Sequence, residues 1–179
     1  MYERDARTSW EAKVKIDKVA KGILKDGQNS ETGNTKIELG GEHNLTADGI
    51  DDFAFKLSEH VNKEIGGTYY AYDGSETDTH VIIGKYDTNT KYKTRNKGMN
   101  PKEFINSAEE YYKYNRTRTF HTHPTVFGNI RGEGATRPYQ SSPADDASKS
   151  EALKTSPNLL FYIIARSRKA GSSFERINY

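Results

Sequence analysis

Cysteine is absent from this 179-residue chain. That excludes disulfides and thiolate metal ligands, leaves His, Asp and Glu to hold any metal, and makes the fold indifferent to redox compartment. Long apolar runs are also lacking. None approaches the roughly 20 residues of a membrane-spanning helix, so no membrane association is expected. The first residues, Met1-Tyr2-Glu3-Arg4-Asp5, are charged and no apolar stretch follows them, so no signal peptide is expected. Charge of one sign is not in large excess: the net charge of +2 is not by itself a nucleic-acid signature. Internal repeats and low-complexity tracts are missing too.

What is present is a polar chain, with a mean hydropathy of -0.94. Its length suits one domain with a proper core and is short for two. The core must come from a few apolar runs, chiefly Val81-Ile82-Ile83 and Leu159 to Ile164. A basic stretch, Lys85 to Arg118, carries Lys91, Lys93, Arg95, Lys97, Lys113, Arg116 and Arg118 with interleaved tyrosines. Charge runs of this kind are usually solvated faces; the alternative is a patch for an acidic substrate or nucleic acid.

Short strand pieces are expected at Val14–Ile16 and Thr35–Leu39, with a turn-rich loop at 28–34 between them. Ile50, Phe53, Leu57 and Val61 recur at helical spacing behind Thr46, a plausible N-cap. They predict a helix whose stripe ends at Ile65 and which Gly66-Gly67 stops. Strands follow at Thr68–Tyr72 and His80–Tyr86, joined by the turn Asp73-Gly74-Ser75. After a basic loop at 87–100, Pro101 opens a predicted helix over Lys102–Tyr114. A strand ending in His121 and His123 comes next. Ser142 is the expected N-cap of a helix over Ala144–Leu153 with Pro143 in its first turn, and strands at Asn158–Ala165 and Ser173–Asn178 close the chain. This mixture of helices and strands predicts an α/β (α+β) fold.

Two histidines at i and i+2 of a strand project to one side and can share a metal ion. Asp145 or its neighbour Asp146 offers a carboxylate downstream, although an acid at a helix start also simply suits the helix dipole. Two imidazoles and one carboxylate, with a fourth position left for water, is the ligand pattern of a catalytic zinc site. Glu64 is a candidate base for that water. Its ordinary alternative is a solvated residue at a helix C-terminus, where the dipole disfavours an acid. Ser142, or Ser141, needs no role beyond capping. His43, His60 and His80 read as structural or surface residues.

Taken in order, Glu64-Ile65-Gly66-Gly67, then His121-Thr122-His123-Pro124, then Ser142-Pro143-Ala144-Asp145, the chain resembles the JAMM (JAB/MPN+) metalloprotease family from about Ala47 onward. The resemblance implies a JAB/MPN-like three-layer sandwich, a mixed β-sheet flanked by helices. It divides the chain into a lead-in with short strands at 1–41 and a JAB-like metalloprotease domain at 42–179. It implies Zn2+ held by His121, His123 and Asp145, Glu64 as general base, and Ser142 in support of the tetrahedral intermediate. The reaction implied is hydrolysis of a peptide or isopeptide bond in a protein or peptide substrate. Val19–Gly27 and Asp51–Ala54 are further similar to the JAB-like toxin domains of bacterial Rhs-type polymorphic toxins. That likeness implies a domain delivered by a larger secreted bacterial protein, action in a target cell's cytoplasm, and a cognate immunity protein as partner; nucleic acid is not an expected partner. The rival expectations are a catalytically inactive binding scaffold of the same fold and a metal-dependent nuclease using the 85–118 patch. The chain departs from the family pattern in the eighteen residues between His123 and Ser142, a glycine-rich insertion suited to a lid, a substrate selector or a block.

Overall fold

A computed structural model describes residues 35–41, 44–61, 64–83, 112–125 and 139–179 of the chain. The expected strand at 14–16, the loops at 28–34, 87–100 and 128–138, the body of the helix expected from residue 102, the lysines from 85 to 97 and His43 lie outside the described residues, as do the side chains of His60 and Val61.

The described elements are β1 (Thr35–Glu38), α1 (Ala47–Val61), β2 (Gly66–Tyr72), β3 (His80–Ile83), β4 (Tyr114–His123), α2 (Pro143–Leu153), β5 (Leu160–Arg166) and β6 (Phe174–Asn178). They form a mixed α/β fold around one six-stranded sheet of order β1-β3-β2-β4-β5-β6. Neighbours pair antiparallel except β4 and β5, which run parallel with His121 beside Ile163. A parallel pair needs a crossover connection, and α2 lies in it. β1 belongs to this same sheet as an edge strand beside β3. No helix among the described residues is long and apolar enough to cross a membrane.

α1 begins at the expected cap, where Gly49 N donates to Thr46 Oγ1 at 3.1 Å. Ile50, Phe53, Ala54 and Leu57 are buried against Ile37, Tyr69, Val81, Ile83, Phe120, Tyr162 and Ile164 of the sheet. Full burial of a side chain of this size contributes about 1.5–3 kcal/mol, so this layer is the main source of stability. Beneath it, Asp51 is fully buried and accepts from Tyr69 Oη (2.6 Å), Tyr162 Oη (3.0 Å) and Arg176 Nε (2.6 Å).

Three local expectations need correction. α1 ends at Val61, before Ile65. Gly66 and Gly67 do not stop it but open β2. The reason lies across the sheet: a Cβ on Gly67 would stand 2.3 Å from Phe120 Cε1 and 2.4 Å from Phe120 Cζ. The glycine is there for close approach, not for a left-handed turn. Tyr114 is not the end of a helix but the first residue of β4. The expected turn does form: Asp73 (φ 52°) and Gly74 (φ 78°) both take positive φ, and Ser75 N donates to Tyr72 O at 3.1 Å.

One irregularity sets which way β4 faces. Tyr69 pairs with Arg118 but Tyr70 with Arg116, so Thr117 is an extra residue in β4. Before the bulge, Tyr114 packs on Tyr70, which points away from α1. After it, even-numbered Phe120 lies in the core with α1, and odd-numbered Thr119, His121 and His123 take the opposite face. The bulge thus reverses the alternation and turns both histidines away from α1.

Candidate metal centre

His121 and His123 sit at the C-terminal end of β4. The chain leaves that end, returns through α2 and enters β5, so the N-terminus of α2 lies beside the histidines. Ser142 caps α2 in a reciprocal box: Asp145 N donates to Ser142 Oγ (3.2 Å), and Ser142 N donates to Asp145 Oδ2 (2.7 Å). Ser142 Oγ also donates to Asp145 Oδ2 at 2.8 Å. α2 buries no residue, so this cap, more than packing, aims the Asp145 carboxylate.

The result is a convergent set. His121 Nε2 lies 3.1 Å from His123 Nε2 and 3.6 Å from Asp145 Oδ2. One ligand-type atom from each of His121, His123 and Asp145 lies within 4.8 Å of the others, and the group can hold a metal ion. Two imidazole nitrogens and a carboxylate oxygen facing one small volume are the donor types that borderline divalent cations take. Burial pushes the His121 imidazole below the ordinary histidine pKa, with the Asp145 charge opposing, which favours the neutral form that a metal ligand requires.

Glu64 also reaches the histidines. Its Oε1 lies 3.6 Å from His123 Nε2. The connection that carries it is locked to the strand between the histidines: Ile65 N donates to Thr122 Oγ1 (2.8 Å), Thr122 N donates to Ile65 O (2.9 Å), and Thr122 Oγ1 donates to Ser58 Oγ of α1 (2.7 Å). Next along, Gly66 pairs with His121. Beyond Pro124 the chain is held to α1 as well, since Thr125 Oγ1 donates to Glu59 Oε2 at 2.8 Å and Thr125 N donates to Glu59 Oε1.

All five residues singled out in the sequence therefore lie around one point: His121, His123, Asp145, Glu64 and, through its grip on Asp145, Ser142. Asp146 is engaged elsewhere, accepting from Ser141 Oγ at 2.8 Å. His80 is part of an aromatic cluster with Tyr72 and Tyr114, at 5.9 and 5.3 Å between centroids. Arg116 and Arg118 of the basic stretch reach partners, Arg116 to Ser156 and Arg118 to Asp78.

The sequence reading missed Thr122, Ser58 and Glu59, which position the site, and Tyr179, whose ring stands edge-to-face to His121 at 5.9 Å. Thr122 was in view inside the His-x-His motif; an alternating strand puts it on the opposite face from the histidines, and that was the available signal. Comparison with known proteins leaves the site to be read from its geometry: no protein-family model matches the chain, and neither the curated proteins nor the solved structures gave a significant match.

Proposed function

We propose that the chain is a zinc-dependent hydrolase of the JAMM type, with the JAB/MPN-like arrangement of sheet and helices that this implies. The observation that carries the reading is the convergence of His121, His123 and Asp145 from two separate elements, with a carboxylate, Glu64, 3.6 Å from His123. His121, His123 and Asp145 would hold zinc, which when bound lowers the pKa of a coordinated water to about 7 and polarises a carbonyl.

The chain's own residues supply the rest. Glu64, aimed by the Ile65–Thr122 pair of hydrogen bonds, accepts the proton that the attacking water releases and returns it to the leaving amine. Ser142 holds the Asp145 carboxylate in place through its backbone and side chain. Thr122 and Ser58 fix the strand that carries both histidines. The bond broken is a peptide or isopeptide bond in a protein or peptide, and the setting we propose is a bacterial toxin effector domain. Such a domain would be delivered by a larger secreted protein, act in a target cell's cytoplasm, and be blocked by an immunity protein in the producer.

The test is proteolysis by the zinc-loaded full chain on a broad mixture of protein substrates, with new amino termini mapped by mass spectrometry. Cleavage that disappears with a chelator and in Glu64→Gln, while Glu64→Gln still binds zinc, supports the reading. Cleavage that persists in Glu64→Gln, or none on any substrate while the chain cuts DNA or RNA, overturns it.

A further inference from the structure

The Ser142 hydroxyl has one proton, and it is donated to Asp145 Oδ2; a lone pair of the same oxygen takes the Asp145 N–H. With that proton in the cap, a second donor can serve a ligand carbonyl. Resting on the metal-centre reading above, we infer that Tyr179 is that donor. Its phenol O–H, on a ring packed against His121, hydrogen-bonds an oxygen of a carbonyl, carboxylate or hydroxamate ligand bound at the His121–His123–Asp145 cluster.

Tyr179 reaches the site because of strand register. Arg176 of β6 turns toward α1, where it bonds Asp51. Three residues on, alternation puts Tyr179 on the histidine face, and its N–H extends the ladder by donating to Phe161 O at 3.3 Å. There its ring meets His121 at 5.9 Å and Phe161 at 6.1 Å between centroids.

The helix that carries Asp145 holds the same residue from the other side. Lys149 donates to the Tyr179 backbone carbonyl, and its ammonium lies 5.6 Å from the ring centroid. The ring is thus fixed by both elements that supply metal ligands. The phenol ring therefore stands beside His121 and next to the helix that supplies Asp145.

The experiment titrates acetohydroxamate into the zinc-loaded full chain by calorimetry, comparing wild type, Tyr179→Phe and Tyr179→Ala, with zinc affinity measured in parallel. The Phe variant keeps the ring. It is expected to keep wild-type zinc affinity and to bind the hydroxamate about tenfold more weakly, the equivalent of one hydrogen bond. Equal hydroxamate affinity in wild type and Tyr179→Phe overturns the inference and leaves Tyr179 as packing, most plainly if Tyr179→Ala alone loses zinc. Loss of zinc in Tyr179→Phe also overturns it, since the hydroxyl would then serve the ligand set rather than the ligand. A wild-type chain that binds zinc but no hydroxamate overturns this inference alone; a wild-type chain that binds no zinc overturns the metal-centre reading with it.

Discussion

Replacing Gly67 by alanine tests how the sheet is built and how the site depends on it. The new Cβ would lie 2.3 and 2.4 Å from two ring atoms of Phe120, about 1 Å inside the 3.4 Å at which ordinary contact begins. The Phe120 ring cannot swing into solvent. It is almost fully buried and flanked by Tyr69 and Tyr162, each at 5.8 Å between centroids. On the other side the same Cβ would stand 3.3 Å from the Ile82 carbonyl oxygen. Relief must come from β2 moving off β4 or from Phe120 leaving its rotamer. Overpacking of this kind costs about 1–3 kcal/mol and more where neighbours are rigid, so we expect about 3 kcal/mol by urea denaturation. Because the adjacent residue Gly66 pairs with His121, zinc affinity should fall as well. Phe120→Leu in the same chain should restore part of the loss, a coupling of about 1–2 kcal/mol between residues in contact. A Gly67→Ala chain within about 0.5 kcal/mol of wild type, the range of a neutral surface change, would refute the close-approach argument.

Other outcomes follow from the same geometry. Thr122→Val removes the acceptor of the buried Ile65 N–H and the donor to Ser58 Oγ; an orphaned buried N–H costs about 1–3 kcal/mol. Stability measured by thermal unfolding should therefore drop by about 2 kcal/mol, and a value within about 0.5 kcal/mol of wild type would show that the Thr122 hydroxyl is not the lock. Ser142→Ala removes the cap of a helix that buries nothing, and should cost about 1 kcal/mol and lower zinc affinity several-fold through Asp145; unchanged affinity would show that Asp145 is held by other means. Burial raises the Asp51 carboxyl above its ordinary pKa, against the opposing pull of Tyr69, Arg176 and Tyr162. The folded chain therefore holds that proton more tightly than the unfolded one. The contribution to stability is full below the ordinary aspartate pKa of about 3.9 and is lost as pH rises through the raised folded value. Wild-type stability relative to Asp51→Asn should accordingly decline with rising pH over that interval; a difference that grows with pH would show a carboxylate favoured by its partners.

Much of the architecture was legible because it depends on local pattern. The stripe Ile50, Phe53 and Leu57 marks α1, the Asp-Gly pair marks the turn after β2, and Ser142-Pro143 marks the start of α2. The residues of the candidate centre were legible for a similar reason, since His-x-His and the cap with its acid three residues on are local motifs. What escaped was tertiary. A glycine pair after a helix reads as a stop, yet the demand that Gly67 meets is set by Phe120, 53 positions away in the sequence. The bulge at Thr117 leaves no composition signal, although it decides that the histidines face Asp145 and not α1. Tyr179 reaches His121 only through the pairing of β6 on β5, which no pattern around residue 179 specifies.

The central claim is that His121, His123 and Asp145 form one zinc site. Elemental analysis of the purified full chain after zinc loading, beside His121→Ala/His123→Ala and Asp145→Ala, tests it most directly. The account predicts about one zinc per wild-type chain, as expected of a single three-ligand site, with none retained by the double variant and far weaker retention by Asp145→Ala. A wild-type chain that takes up no zinc, or variants that hold as much as wild type, would contradict it.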